Sequence, residues 1–150
     1  MSEIETTVEI NSQRIKDYQF SVDFGMPNVP LLLVDEDPPL GEGNGPDPSR
    51  LLGAAVANCM LASLLFCLQK SRVDVNDLGA KLKIQLGRNE NKKLRIKAIN
   101  LEIIADIPDS ESGKLERCRG IFEDFCTVSG SVRAGIPVNV DVKLGKMSLK

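Results

Sequence analysis

The spacing of apolar positions changes period several times along the chain, and each change predicts an element. Tyr18, Phe20, Val22 and Phe24 alternate with Gln19, Ser21 and Asp23, the two-residue period of a half-buried strand with one apolar face. A short apolar run at 31–34 lies between Pro30 and Pro38, so residues 4–34 read as short strands. Residues 35–48 hold four prolines, three glycines and several acidic side chains, the composition of a loop over the surface of one fold. Asp47 then suits a helix N-cap and Pro48 the first helical position, where a missing N–H leaves nothing unpaired. A helix from there to about Arg72 is predicted.

The interior of that helix, 51–68, carries no charge. At ~1.5 Å per residue it is almost long enough to cross a bilayer. Gly53, Ala54, Ala55, Ala57, Asn58 and Ser63 make it only mildly apolar, and strand patterns flank it on both sides. It therefore reads as a helix buried on all sides in a soluble protein, with no membrane partner. So small a chain struggles to cover such a helix alone. A homodimer is expected, the small residues letting a second backbone approach.

Beyond the helix, Leu82, Ile84 and Leu86 alternate with Lys81, Lys83 and Gln85, and 87–91 turns the chain. Leu94, Ile96 and Ala98 continue the alternation until the apolar phase slips at Ala98 and Ile99, which a β-bulge would explain. The pair is a long hairpin. Pro108, Asp109 and Ser110 start a second helix with Leu115, Cys118, Phe122 and Phe125 on one face. A short helical turn follows through Arg133, with Thr127 or Ser129 as its cap, and Gly135 ends it. Residues 136–144 close the chain as a strand, with Val138, Val140, Val142 and Leu144 on one side. Strands, helix, hairpin, helix, strand is an α+β order, with helices packed on antiparallel sheet. Residues 1–150 form a single domain on this reading.

Composition removes several functions. The chain is 42% hydrophobic and 27% charged, an ordinary globular balance. A net charge of −2 and an aromatic content of 4% give no basic or stacking surface, so no nucleic-acid partner is expected. There is no histidine, which excludes Ser-His and Cys-His nucleophile pairs and histidine metal ligands. The first ten residues carry Glu3 and Glu5 and lack the basic start and apolar core of a secretory leader, so a cytoplasmic location is expected. Thiols are normally reduced there. The four cysteines show no CxxC spacing, and neither a metal nor a cofactor is expected.

Two cysteines sit in distinctive surroundings. Residues 45–59 read Gly-Pro-Asp-Pro-Ser-Arg-Leu-Leu-Gly-Ala-Ala-Val-Ala-Asn-Cys: a proline-led helix start, a Leu/Ala-rich turn and a mid-helix cysteine. Residues 126–138 read Cys-Thr-Val-Ser-Gly-Ser-Val-Arg-Ala-Gly-Ile-Pro-Val, a cysteine at a helix end before the last strand. Both stretches, 67 positions apart between their cysteines, resemble the two cysteine signatures of the OsmC/Ohr family (osmotically induced and organic-hydroperoxide-resistance proteins), and the element order matches along nearly the whole chain.

The resemblance implies antiparallel sheets around a long buried central helix in an intertwined dimer. It also implies a two-cysteine peroxidase. Cys59, at the peroxidatic position, is oxidised to a sulfenic acid by an organic hydroperoxide. Cys126, at the resolving position, condenses with it to a disulfide, and an external dithiol resets the pair. In family peroxidases a glutamate in the first turn of the central helix and an arginine from the preceding loops assist the peroxidatic cysteine. Here Ser49 stands at the glutamate position, Arg50 follows it, and no arginine lies between Arg14 and Arg50. Ser49, Arg50 and Arg133 are the auxiliary candidates. Two readings therefore stand: a thiol peroxidase, and a non-catalytic dimer acting as a redox sensor or a small apolar-ligand binder. Cys67 and Cys118 read as packing hydrophobes. Their eight-residue offsets from Cys59 and Cys126 would also let them approach each other if the helices are regular and antiparallel.

Overall fold

The computed structural model describes residues 3–147. The chain divides into two compact units, one running to Pro48 and resuming at Val140, the other Ser49–Asn139.

The first unit holds a three-stranded antiparallel sheet in the order β1 (Asn11–Lys16), β2 (Gln19–Asp23), β3 (Leu32–Val34). β2 is a strand as expected, but its apolar side chains do not form a buried face. Gln19 is buried, while Tyr18 and Phe20 are 46% and 38% exposed. The cause is Asp35, which is only 1% exposed at the start of the 35–48 loop. Its carboxylate accepts hydrogen bonds from the backbone N–H groups of Glu36, Glu42 and Asn44 at 2.8, 3.3 and 3.1 Å, and from Gln19 Nε2 at 3.3 Å. A buried carboxylate needs this many donors, so the side chain that supplies one is drawn inside. Burial pushes the Asp35 pKa up, and these donors more than offset it, holding the group below the ordinary carboxylate value.

The second unit is built on α1 (Pro48–Lys70), which starts and stops close to the expected positions. Gly53, Val56, Ala57, Met60, Leu64 and Leu68 recur at helical spacing and are buried. They face the hairpin of β4 (Asp77–Arg88) and β5 (Leu94–Asp106) and the segments that follow it. Gly53 is where helix and hairpin come closest: a Cβ there would lie 2.5 Å from Ile84 Cδ1 and 3.0 Å from Leu82 Cδ1. The small residue thus serves an approach within the chain. The helix is not buried on all sides in the single chain. Ala54, Ala55, Asn58, Ala62 and Phe66 are exposed, Phe66 by 58%. By length and composition α1 would also pass for a membrane span, but its inner face packs into the core of the second unit.

The hairpin register slips where the apolar phase does. Gln85 pairs with Ala98 and Leu86 with Ile96, leaving Lys97 as the extra residue of a bulge. After β5 come a 3₁₀ turn (Asp109–Glu111), α2 (Ser112–Arg119), a second 3₁₀ turn (Phe122–Phe125) and α3 (Thr127–Ala134). The predicted second helix is therefore interrupted at Gly120. Phe122 stays inside, but the tighter winding turns Phe125 out to 71% exposure. Gly135, at φ 76°, ends α3 as expected. The cap of α3 is Cys126 rather than Thr127 or Ser129. Residues 136–144 are not a strand: Val138, Val140, Val142 and Leu144 keep their alternation but are 81, 79, 88 and 107% exposed. Among the described residues no segment offers them a ladder of hydrogen bonds.

Met60, Leu64 and Leu68 of α1 form one core with Val73, Cys118, Phe122 and Cys126. The cysteines on the two sides of this core face each other. Cys67 and Cys118 are joined in a disulfide with Cα atoms 5.8 Å apart, which corrects their reading as unbonded packing residues. The architecture is α+β, with antiparallel sheets and a long helix between them in the chain.

Candidate functional site

Cys59 and Cys126 remain free. Cys59 lies mid-helix on α1 and is partly exposed; Cys126 is 2% exposed immediately before α3. The first turn of α3 brings them together. Its unpaired N–H groups point back out of the helix and are ready donors to sulfur. The Val128 N–H reaches Cys59 Sγ at 3.5 Å. The Cys59 side chain, the Ser129 side chain and the Ser129 and Val128 N–H groups all act on the Cys126 thiol, so the two free cysteines are neighbours. Burial pushes the Cys126 pKa up, and these hydrogen bonds overcome it, leaving the thiol more acidic than an ordinary cysteine. Ser129, itself buried, places its Oγ 3.7 Å from Met60 Sδ and so ties α3 to α1.

The auxiliary candidates separate. Ser49 and Arg50 sit in the first turn of α1, roughly 13–15 Å along the helix axis from Cys59. Arg133 lies in the last turn of α3 and donates from Nη2 to Glu123 Oε1 at 2.8 Å. That hydrogen bond, the Glu123 charge and the Cys126 charge all raise its pKa against a small desolvation loss. Glu123 was visible in the sequence only as a polar position off the apolar face of the second helix. Its role depends on the 3₁₀ turn that places it opposite Arg133, and no spacing rule signals that turn.

Two open clefts share Met60, the residue after Cys59, in their linings, though neither is lined by Cys59 or Cys126 itself. One, of ≈ 390 Å³, is lined by Met60, Leu64, Leu101, Ile103, Ala105, Leu115, Arg119, Phe122 and Glu123. The other, of ≈ 300 Å³, is lined by Leu52, Val56, Met60, Ile96, Lys97, Ala98, Ile99, Leu101, Ser129, Val132 and Arg133. Both are mainly apolar with a few charges at the edge, the character of a site for an apolar ligand with a polar end. Among the described residues, no group of three or more cysteine and carboxylate side chains is arranged to hold a metal ion. The arrangement is suited to thiol–disulfide chemistry: two neighbouring free thiols, one of them acidified, in an apolar core.

Comparison with known proteins agrees with this architecture. No curated protein matches the chain by sequence. Among solved structures, an OsmC-like protein of unknown function from Vibrio cholerae superimposes with a TM-score of 0.73 at 16% identity, over 84% of this chain and 93% of that one. An OsmC-like protein from Mycoplasma pneumoniae gives 0.72 at 16% identity, over 87% and 89%. The organic hydroperoxide resistance protein OhrB of Bacillus subtilis gives 0.60 at 17% identity, over 92% and 98%. At such identities the likeness establishes the shared fold. The family model described as OsmC-like protein matches residues 41–141, a span that includes both free cysteines and the disulfide, and the chain belongs to that family.

Proposed function

We propose that this protein is a thiol peroxidase that reduces organic hydroperoxides through the Cys59/Cys126 pair, with the whole chain acting as one OsmC-like domain. The observation that carries the reading is the proximity of two free cysteines, one of them acidified by its surroundings. One thiolate attacks the peroxide O–O bond, forming S–OH and releasing an alkoxide that takes up a proton. The second sulfur attacks the S–OH group, forming the disulfide and expelling water. An external dithiol then reduces the disulfide. A reducing cytoplasm would keep this pair open, while Cys118, with no exposed surface, is shielded from the same reductants.

The test is consumption of cumene hydroperoxide with dithiothreitol or dihydrolipoamide as reductant. The native protein should turn over, and Cys59→Ser and Cys126→Ser should each lose turnover. Native consumption no faster than that of a small free thiol would refute the reading. Ser49, in place of the family's glutamate, favours a second reading as a redox sensor or apolar-ligand binder. A sensor would form the Cys59–Cys126 disulfide once without turnover, and a binder would take up a fluorescent fatty acid without oxidation.

The reading includes a homodimer. The exposed apolar alternation of 138–144 and the bare outer face of α1 around Phe66 support it. Sedimentation should give a dimer for the native chain and a monomer for Val140→Asp/Val142→Asp. A native monomer that stays folded on dilution would overturn this part.

A further inference from the structure

The two sulfurs of the Cys67–Cys118 bond are unequally placed. Cys118 has no exposed surface, whereas Cys67, on α1, is partly exposed and packs against the core. Of the two, Cys67 is the sulfur that a thiolate in solution can reach. Ser71, one helical turn further on, donates its N–H to the Cys67 carbonyl at 3.0 Å and places its Oγ 3.9 Å from Cys118 Sγ. A hydroxyl thus stands beside the sulfur that would leave as an anion. Cys59 and Cys67 lie about 12 Å apart along α1, too far for the two pairs to exchange sulfurs in the folded chain. What joins the pairs is the segment from Cys118 to Cys126. Its backbone bonds overlap along its length: Ile121 N–H to the Cys118 carbonyl at 3.1 Å, Asp124 N–H to that of Ile121 at 3.2 Å, and Cys126 N–H to that of Glu123 at 3.1 Å. The Cys126 carbonyl then accepts the first bond of α3, from Gly130, at 3.0 Å. Phe122 packs in one core with both cysteines. The polar contacts between α3 and α1 are weak ones to sulfur: Val128 N–H to Cys59 Sγ at 3.5 Å and Ser129 Oγ to Met60 Sδ at 3.7 Å. The covalent link from α1 to this segment is the Cys67–Cys118 bond.

We propose that Cys67–Cys118 is a second redox site, opened by an external dithiol at Cys67, and that its state sets how well Cys126 is held against Cys59. This rests on Cys59 and Cys126 as the working pair. Opening is a thiol–disulfide exchange. A thiolate of the dithiol attacks Cys67 Sγ; the protein's S–S bond breaks, and Cys118 departs as a thiolate and takes up a proton. The reductant's second thiolate then attacks the mixed disulfide, releases Cys67 as a thiolate that is protonated in turn, and closes its own disulfide. Two electrons and two protons have passed to the protein. Closing is the same exchange run backwards with an external disulfide as oxidant. When the bond is closed, the start of the 118–126 segment is anchored to α1 and Cys126 stays beside Cys59. When it is open, the segment keeps its place in the core but moves more, because packing and weak contacts to sulfur are what remain. Cys126 then spends less time against Cys59, and their own bond forms more slowly. The working pair is thereby readiest when the surrounding thiol pool is oxidised.

The experiment has two arms, neither of which uses a peroxide. In the first, native protein is equilibrated in mixtures of reduced and oxidised dithiothreitol and quenched with acid, and each cysteine is mapped by mass spectrometry. Cys67 and Cys118 should open and reclose reversibly while far-ultraviolet circular dichroism stays that of the folded chain, with the dithiothreitol adduct trapped at Cys67. A bond that opens only after urea unfolds the chain, or an adduct at Cys118, would overturn the site. In the second, the native chain with this bond closed is compared with Cys67→Ala/Cys118→Ala and with native protein in which the bond has been opened. Formation of the Cys59–Cys126 bond by diamide should be several-fold slower in the Ala pair, and alkylation of Cys126 by iodoacetamide several-fold faster in both open forms, with the helix content unchanged. Equal rates in closed and open forms would overturn the coupling, as would open forms that have lost their helix content, because the bond would then serve stability alone. Failure of the peroxidase reading would appear separately, as no hydroperoxide consumption by the native protein with the bond closed.

Discussion

Reduction of the Cys67–Cys118 bond should be the largest single loss of stability short of disrupting the core. The bond spans 51 positions and joins α1 to α2. In the chain-entropy treatment a closed loop of that length removes ~4 kcal/mol of unfolded-state freedom at 25 °C. Neither side chain need move far on reduction: Cys118 is wholly buried in the core and Cys67 packs against it. Most of the loss should then be the entropic part, 2–4 kcal/mol, or roughly 5–15 °C in Tm. The clean comparison uses a Cys59→Ser background, so that only one pair changes state. Urea unfolding is followed with that disulfide intact and after reduction with a phosphine. The midpoint should fall on reduction, and the m-value should rise because the unfolded chain is freer to expand. If both states unfold at the same urea concentration with the same slope, the bond contributes nothing to the unfolded ensemble and the argument fails.

Two more substitutions probe the two units. Gly53→Val drives a branched side chain into Ile84 and Leu82, and should cost about 1–3 kcal/mol in urea unfolding, with little effect if the hairpin can simply shift away. Asp35 stabilises its loop as a carboxylate. Its folded pKa lies below the ordinary ~3.9, so its contribution is complete above about pH 4 and is lost as pH falls through the lower folded value. Hydrogen exchange at the Glu36, Glu42 and Asn44 amides, corrected for intrinsic rates, should quicken in Asp35→Asn at neutral pH and in the native protein only in acid. Unchanged protection in Asp35→Asn would remove Asp35 as the loop's organiser.

What the sequence disclosed was set by short-range physics. The Asp47-Pro48 helix start, the end of α3 at Gly135 and the slip in β5 each depend on a few neighbouring residues. The two cysteine signatures brought Cys59 and Cys126 together because each carries its own local context. Where the sequence misled, a distant or competing interaction decided. Gln19 is inside because of Asp35, sixteen positions away. Phe125 is outside because the winding tightens after Gly120, which helical periodicity does not register. The Cys67–Cys118 bond depended on the mutual placement of two helices, for which equal offsets are only a hint. The 136–144 segment has a strand's pattern without a strand's partner, and a pattern cannot say whether its partner belongs to the same chain. The Glu123–Arg133 pair is of the same kind, since two exposed charges ten positions apart give no sequence signal unless a turn is known to fold them together.

The four cysteines also form a ladder with two rungs, and the closed rung alters the other. Cys59 and Cys67 are eight positions apart, as are Cys118 and Cys126. Around the backbone alone, Cys59 and Cys126 are separated by 67 positions; through the existing bond the path is about sixteen. Ring closure scales as about the −3/2 power of path length, so in a disordered chain the first rung would raise the effective molarity of the second pair about eightfold. Each bond would then promote the other. A nascent chain that joins Cys67 to Cys118 first has already brought its other two thiols near each other, and one that joins Cys59 to Cys126 first has done the same for the structural pair. In a disordered chain the eight-position loops Cys59–Cys67 and Cys118–Cys126 close more readily still, so the packing of α1 against α2 and not the spacing selects the first rung; once either rung exists, the spacing favours the other.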